Sequence, residues 1–224
     1  VALNKAHTSI WVKILIIVLI VAFVSLFMYQ GIAGIFELFK QTPQTTASST
    51  VLTVSAINEK NQSNVDLLKQ SVASDPTSYT ATVNLANGYF DWAQELSQPA
   101  AGQSQITTEA MAAAFTQWTQ AKATYDAATK LSKTFDPSTQ TDRSYAALYS
   151  NDATEAIAIV KVVTVKDPKF AQAWVHLGIY YEAIGNTALA IPAYQKYLAL
   201  DPKGQNVSYV ESRLKALGGS TTAK

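Results

Sequence analysis

The stretch FAQAWVHLGIYYEAIGNTALAIPAYQKYLALDP, Phe170–Pro202, decides the fold. Its apolar and small residues recur at helical spacing in two runs: Trp174, Leu177, Gly178 and Tyr181, then Ala190, Tyr194 and Tyr197. Each run places its members on one helix face. Gly185-Asn186 lies between the runs and supplies the left-handed turn that a tight helix connection needs. Asp201-Pro202 stops the second helix. Gly178 and Ala190 are small enough to let the two backbones approach, with Trp174, Tyr181 and Tyr194 filling the space beside them. The spacing predicts an antiparallel helical hairpin.

In order and spacing this hairpin resembles the tetratricopeptide repeat, W-x2-L-G-x2-Y…A-x3-F…P. Tyr197 departs from the pattern, which usually has a small residue there, and is assigned to packing against the next element. The punctuation extends the resemblance along the chain. Asp75-Pro76, Asp136-Pro137 and Asp167-Pro168 repeat the Asp201-Pro202 stop. Pro168 and Pro202 stand one 34-residue repeat apart, and Ala156 and Val160 take the places of Ala190 and Tyr194 in the preceding unit. The prolines there are 31 residues apart, which predicts a shortened first helix, Arg143–Tyr149. The earliest unit carries Leu85-Ala86 and Tyr89 on its first helix. A long second helix, Thr108–Phe135, follows an insertion at Ala93–Thr108. Helices at Val65–Ala73 and Val207–Leu217 are expected to cap the stack. The predicted fold class is therefore all-α: a single N-terminal transmembrane helix, then a short α-solenoid of about three helix pairs plus caps. Three pairs are about the minimum that buries a continuous core.

The transmembrane expectation rests on Ile14–Tyr29, which is apolar apart from Ser25 and is bracketed by Trp11 and Tyr29. Eighteen helical steps cover about 27 Å, close to the ~30 Å hydrocarbon layer, and rings at both edges suit its interfaces. Phe27-Met28-Tyr29-Gln30 lacks the small residues of a signal-peptide cleavage site, although Ala47-Ser48-Ser49 leaves processing open. Lys5 and Lys13 precede the span, while Glu37 and Lys40 follow it and nearly cancel. That bias places the N-terminus in the cytoplasm and the repeats in the periplasm or outside the cell. Residues 1–40 are read as tail and anchor, 41–50 (QTPQTTASST) as polar linker, and 51–224 as repeat domain. Ala22 with Ser25, and Gly31 with Gly34, form small-residue pairs at which another membrane helix would pack closely.

Beyond Lys40 there are 14 Lys and Arg against 15 Asp and Glu, so no net field draws nucleic acid or an anionic lipid surface. Charged residues make up only 15% of the chain, and 65 Ser, Thr, Asn and Gln supply a neutral, hydrogen-bonding exterior. Catalytic chemistry is not legible. There is no Cys, and the two His residues, His7 and His176, fall on opposite sides of the expected membrane span. Neither a phosphate loop nor a zinc spacing occurs. The chain reads as a non-enzyme with no cofactor, no metal and no small-molecule substrate.

What the resemblance implies is a protein-binding groove lined by the first helices of the repeats. Mapped onto this sequence it holds Val83, Asn84, Asn87, Phe90, Leu148, Val175, Ile179 and Glu182. The Lys and Arg clamps with which some family members hold carboxylate termini have no counterpart at these positions. A neutral, partly apolar groove suits an extended or helical segment. Val175 and Ile179 are expected to tolerate charge, whereas Trp174, Leu177, Gly178, Tyr181, Ala190, Tyr194 and Pro202 carry the packing. The insertion is an alternative contact surface, or a filler of the groove. The resemblance extends to membrane-anchored repeat proteins of the bacterial cell envelope, and so implies a scaffold or adaptor for membrane or envelope proteins. A fixed accessory subunit of an integral membrane complex is the alternative.

Overall fold

Capping chemistry marks where helices begin. Thr53, Ser78, Thr107, Asp136, Asp152 and Asn186 each accept a backbone N–H with the side chain, satisfying donors that a first helical turn leaves open. The computed structural model describes residues 53–99 and 105–221. Among them are eight helices and no strand. They are α1 (Val54–Ser74), α2 (Tyr79–Leu96), α3 (Thr108–Leu131), α4 (Pro137–Tyr149), α5 (Ala153–Lys166), α6 (Ala171–Ala183), α7 (Thr187–Leu200) and α8 (Val207–Ala216). The architecture is an all-α solenoid in which each helix packs on its neighbour in sequence, and α4 also touches α6. The pairs are α2–α3, α4–α5 and α6–α7, with α1 and α8 at the ends.

The turn inside the last pair is as expected from sequence. Gly185 has φ of 74°, and Asn186 N–H donates to Tyr181 O at 2.8 Å. The α4–α5 turn repeats it with Asn151, φ 67°, and Asp152 N–H on Ala147 O at 2.9 Å. Asparagine is among the few residues with a side chain that take this conformation readily. Gly178 is needed for a different reason: a Cβ there would sit 2.5 Å from the ring of Tyr194.

Several boundaries differ from the sequence expectation. The first helix of the middle pair is not short: α4 starts at Pro137 and has 13 residues, as many as α6. Asp136 caps it directly with Pro137 in its first turn, whereas α6 begins only at Ala171, beyond Pro168. The missing residues come from the linker. Ala93–Leu96 belong to α2 and not to an insertion, α3 stops at Leu131, and α1 is far longer than Val65–Ala73. Pro202 is exposed, so it ends a helix without packing.

The core runs through three clusters. The first joins α1, α2 and α3 around Val65, Ala86, Trp92, Trp118 and Tyr125. The second joins α4, α5 and α6 around Val160, Val163 and Tyr180, and the third joins α6, α7 and α8 around Tyr194, Tyr197 and Leu214. Trp174, Ile179 and Tyr181 are half-buried between the second and third. A charged lattice ties α3, α4 and α5 together: Arg143 bridges Asp126 (2.5 Å) and Glu155 (3.2 Å), and Lys122 bridges Asp126 (3.2 Å) and Glu155 (2.7 Å).

No helix among the described residues is long and apolar enough to cross a membrane. The expected span Ile14–Tyr29, the pairs Ala22/Ser25 and Gly31/Gly34, and the 41–50 linker lie outside the described residues.

Candidate functional site

Helical spacing brings aromatic rings from three helices to one place. Phe90 projects from α2, Trp118 from α3, and Tyr145 and Tyr149, one turn apart, from α4. Phe90 meets Trp118 edge-on with centroids 4.9 Å apart, and Tyr149 stacks on Trp118 at 5.2 Å. Tyr145 lies 5.4 Å from both Phe90 and Trp118, and 5.4 Å from His176 on α6. Edge and offset contacts of this kind add about 0.5–1.5 kcal/mol per pair beyond the area they bury. Trp118 is positioned further by its indole N–H, which donates to Ser97 Oγ at 3.3 Å.

Trp118, Tyr145 and Tyr149 form the floor of an open cleft of about 470 Å³, and Phe90 braces them from the core side. Gln94, Ser97 and Gln98 bound it at the end of α2, Ile106 ahead of α3, and Met111 and Phe115 on the first turns of α3. Met111, Phe115 and Tyr149 remain 51%, 49% and 43% exposed. Three large apolar groups at one rim leave water against surface that a partner would cover.

Outside the residues that line the cleft, the same helices carry polar groups. Tyr125 Oη donates to Asn87 Oδ1 at 2.6 Å, and Asp91 and Asp142 flank that hydroxyl, which burial and then the two carboxylates push above its ordinary range. Burial, followed by the charges of Asp136 and Asp91, pushes the Asp142 carboxyl up to about 6. Further along, His176 is buried. It faces Tyr180 Oη through Nδ1 at 3.1 Å and Gln172 through Nε2 at 3.1 Å, and Tyr180 reaches Ser144 at 2.9 Å. Burial holds the His176 imidazole down at about 4, so it stays neutral and serves the packing between α4 and α6.

The two groups give opposite pH slopes. Asp142 binds its proton more tightly in the folded chain than the ordinary 3.8, so its contribution is full below that value and is lost as pH rises through about 6. His176 binds its proton less tightly than the ordinary 6.5, so its contribution is full above that value and is lost as pH falls through about 4. We expect Asp142→Asn to raise stability at neutral pH by about 1–3 kcal/mol and to remove the decline between about pH 4 and 6. Urea unfolding at several pH values checks this; an Asn variant no more stable than wild type at neutral pH would refute it.

The groove expected from sequence is divided by the structure. Asn84 and Asn87 are exposed on α2, Val83 is half-buried, and Phe90 is half-buried against the first core cluster, behind the rings that line the cleft. Leu148 and Ile179 are half-buried against the second core cluster. Val175 is a correction: it is 1% exposed inside the third cluster, because α6 is enclosed by α5, α7 and the turn before α8. Glu182 is a second correction. Its carboxylate is held by Arg213 of α8 and by Tyr194 Oη at 2.9 Å, so it is committed within the fold. The open surface thus lies at α2, α3 and α4, away from α6. Tyr145, Tyr149, Met111 and Asp142 were missed by the sequence reading, although Asp142, Tyr145 and Tyr149 stand at helical spacing. Starting the helix at Arg143 left Asp142 off that face.

Residues 141–204 match the tetratricopeptide repeat. The match takes in most of α4 and all of α5, α6 and α7, up to the Asp201-Pro202 stop. The fold is similar to that of MamA, with 15% identity, a TM-score of 0.53, and 74% of this chain and 85% of MamA covered. It is similar as well to TTC0263, a thermophilic repeat protein of Thermus thermophilus, with 16% identity, a TM-score of 0.50, and 88% and 94% covered. No curated protein matches the sequence. The α2–α3 pair lies outside the matched residues, and it supplies most of the cleft.

Proposed function

We propose that the chain is a non-catalytic, membrane-anchored scaffold whose helical repeats hold a segment of another protein. The observation that carries this reading is the aromatic cleft between α2, α3 and α4, with Met111, Phe115 and Tyr149 uncovered at its rim. Its floor is preset by ring–ring contacts, so a segment that enters orders little beyond itself, which favours affinity. The anchor is Ile14–Tyr29, and the Lys5/Lys13 bias puts the repeats on the extracytoplasmic side, facing envelope or membrane proteins.

Native purification of the full chain beside a Met111→Ser/Phe115→Ser variant tests the scaffold. Both side chains are half exposed, so the variant should melt as wild type does while losing its co-purifying proteins. A spread of substoichiometric partners fits an adaptor; a fixed ratio to one integral complex fits an accessory subunit. Equal recovery by the variant would exclude the cleft as the contact. Protease added to cells with an opened wall tests topology, and should remove residues 41–224 while leaving the anchor. Protection of that region, or a mature N-terminus after Lys40, would overturn it.

A further inference from the structure

Sulfur is scarce in this chain: its 224 residues include two Met and no Cys. Met28 falls in the expected membrane span, outside the described residues. Met111 is 51% exposed in the first turn of α3, on the lining of the aromatic cleft. Phe115 stands one turn further and is 49% exposed, so thioether and ring share the open side of that helix. No charged side chain lines the cleft; its amides, Gln94 and Gln98, come from α2, and the α3 side offers Ile106, Met111, Ala114, Phe115 and Trp118. On that apolar side Met111 is the accessible group that a mild two-electron oxidant turns polar, since Trp118 is only 2% exposed.

We propose that Met111 is an oxidation switch on the cleft, an inference that rests on the scaffold reading above. The co-reactant is a peroxide or a hypohalous acid. With hydrogen peroxide, a lone pair on Sδ attacks one peroxide oxygen, and the S–O bond forms as the O–O bond breaks. The departing hydroxide takes the proton from the transferred oxygen and leaves as water; sulfur loses two electrons and the peroxide gains two. The sulfoxide oxygen accepts hydrogen bonds from water, and an apolar segment laid over it strips that water away. The α3 side has no donor to replace it, because the Trp118 indole N–H is already given to Ser97 Oγ. Capture of a segment therefore weakens while the helix, open to solvent at this position, stays folded. Methionine sulfoxide reductases return the thioether, so the change is reversible.

The test immobilises the full chain in detergent micelles and returns to it, in a dilution series, the proteins eluted from its own native purification. Hydrogen peroxide should add one oxygen to Met111, located by mass spectrometry of proteolytic peptides, and weaken the apparent affinity about tenfold with the thermal melt unchanged. Methionine sulfoxide reductase with dithiothreitol should restore it; the chain has no Cys for the dithiol to act on. Met111→Leu and Met28→Leu are each compared with their own untreated samples. The first should lose nothing on peroxide treatment, and the second as much as wild type. A Met111 that resists peroxide, an oxidised Met111 with unchanged affinity, an equal loss in Met111→Leu, or a loss that comes with a lowered melt would overturn the switch and leave the scaffold reading standing. No eluted protein rebinding to the untreated chain would overturn both.

Discussion

Tyr194→Ala is expected to cost about 3–5 kcal/mol of folding stability, enough to leave a small helical domain largely unfolded at modest temperature. The ring is fully buried at the centre of the third core cluster, lying against Gly178 where no Cβ would fit. Removing it leaves a cavity, because Gly178, against which the ring lies, has no side chain to fill the space. It also takes one donor from Glu182, which fastens α8 through Arg213. Tyr194→Phe keeps the ring and removes only the hydroxyl, and should cost about 1 kcal/mol. Urea unfolding followed by circular dichroism separates the two. A Phe variant as damaged as the Ala variant would mean that the Glu182 link, and not ring packing, holds the hairpin.

Trp174 shows why ring identity alone does not set such costs. It stands first in the repeat pattern, yet it is only half-buried, with its indole N–H on Pro168 O at 3.0 Å. In contrast Tyr180, which the pattern passes over, is fully buried and bonded to Ser144. Periodicity identifies the face of a helix that packs inward. It does not say how far round the helix burial continues when several neighbours enclose it.

The hairpin, its glycine turn and the Asp-Pro stops were legible because each rests on local chemistry: small residues at a close approach, a left-handed turn, a residue with no N–H. The cleft was not. It depends on where α3 begins and on the direct capping of α4 by Asp136, both set by loops whose lengths carry no periodic signal. Starting α4 at Pro137 and not at Arg143 adds Asp142 to the face that Tyr145 and Tyr149 already share. Phe90, expected from spacing to line a groove, instead packs on the first core cluster and supports the cleft only through its contacts with Trp118 and Tyr145.

Val175→Asp carries the other large expected effect, and it bears on the groove itself. Read from spacing alone, Val175 and Ile179 face outward as a pair that accepts charge. The fold places Val175 in contact with the cluster that holds Tyr194, Tyr197, Leu198 and Val210, at 1% exposure. A carboxylate there is cut off from water, and none of those neighbours offers it a cation, so the cost should be about 4 kcal/mol or more. Ile179 is half-buried, and a charge at its edge can reach solvent, so Ile179→Asp alone should cost clearly less, about 1–3 kcal/mol. Lowering the pH neutralises the new carboxylate and should recover part of the Val175→Asp loss, which a purely steric defect would not do. A Val175→Asp melt indistinguishable from wild type would reopen α6 as a groove wall. A large, acid-relieved loss would confine the binding surface to the α2–α3–α4 cleft.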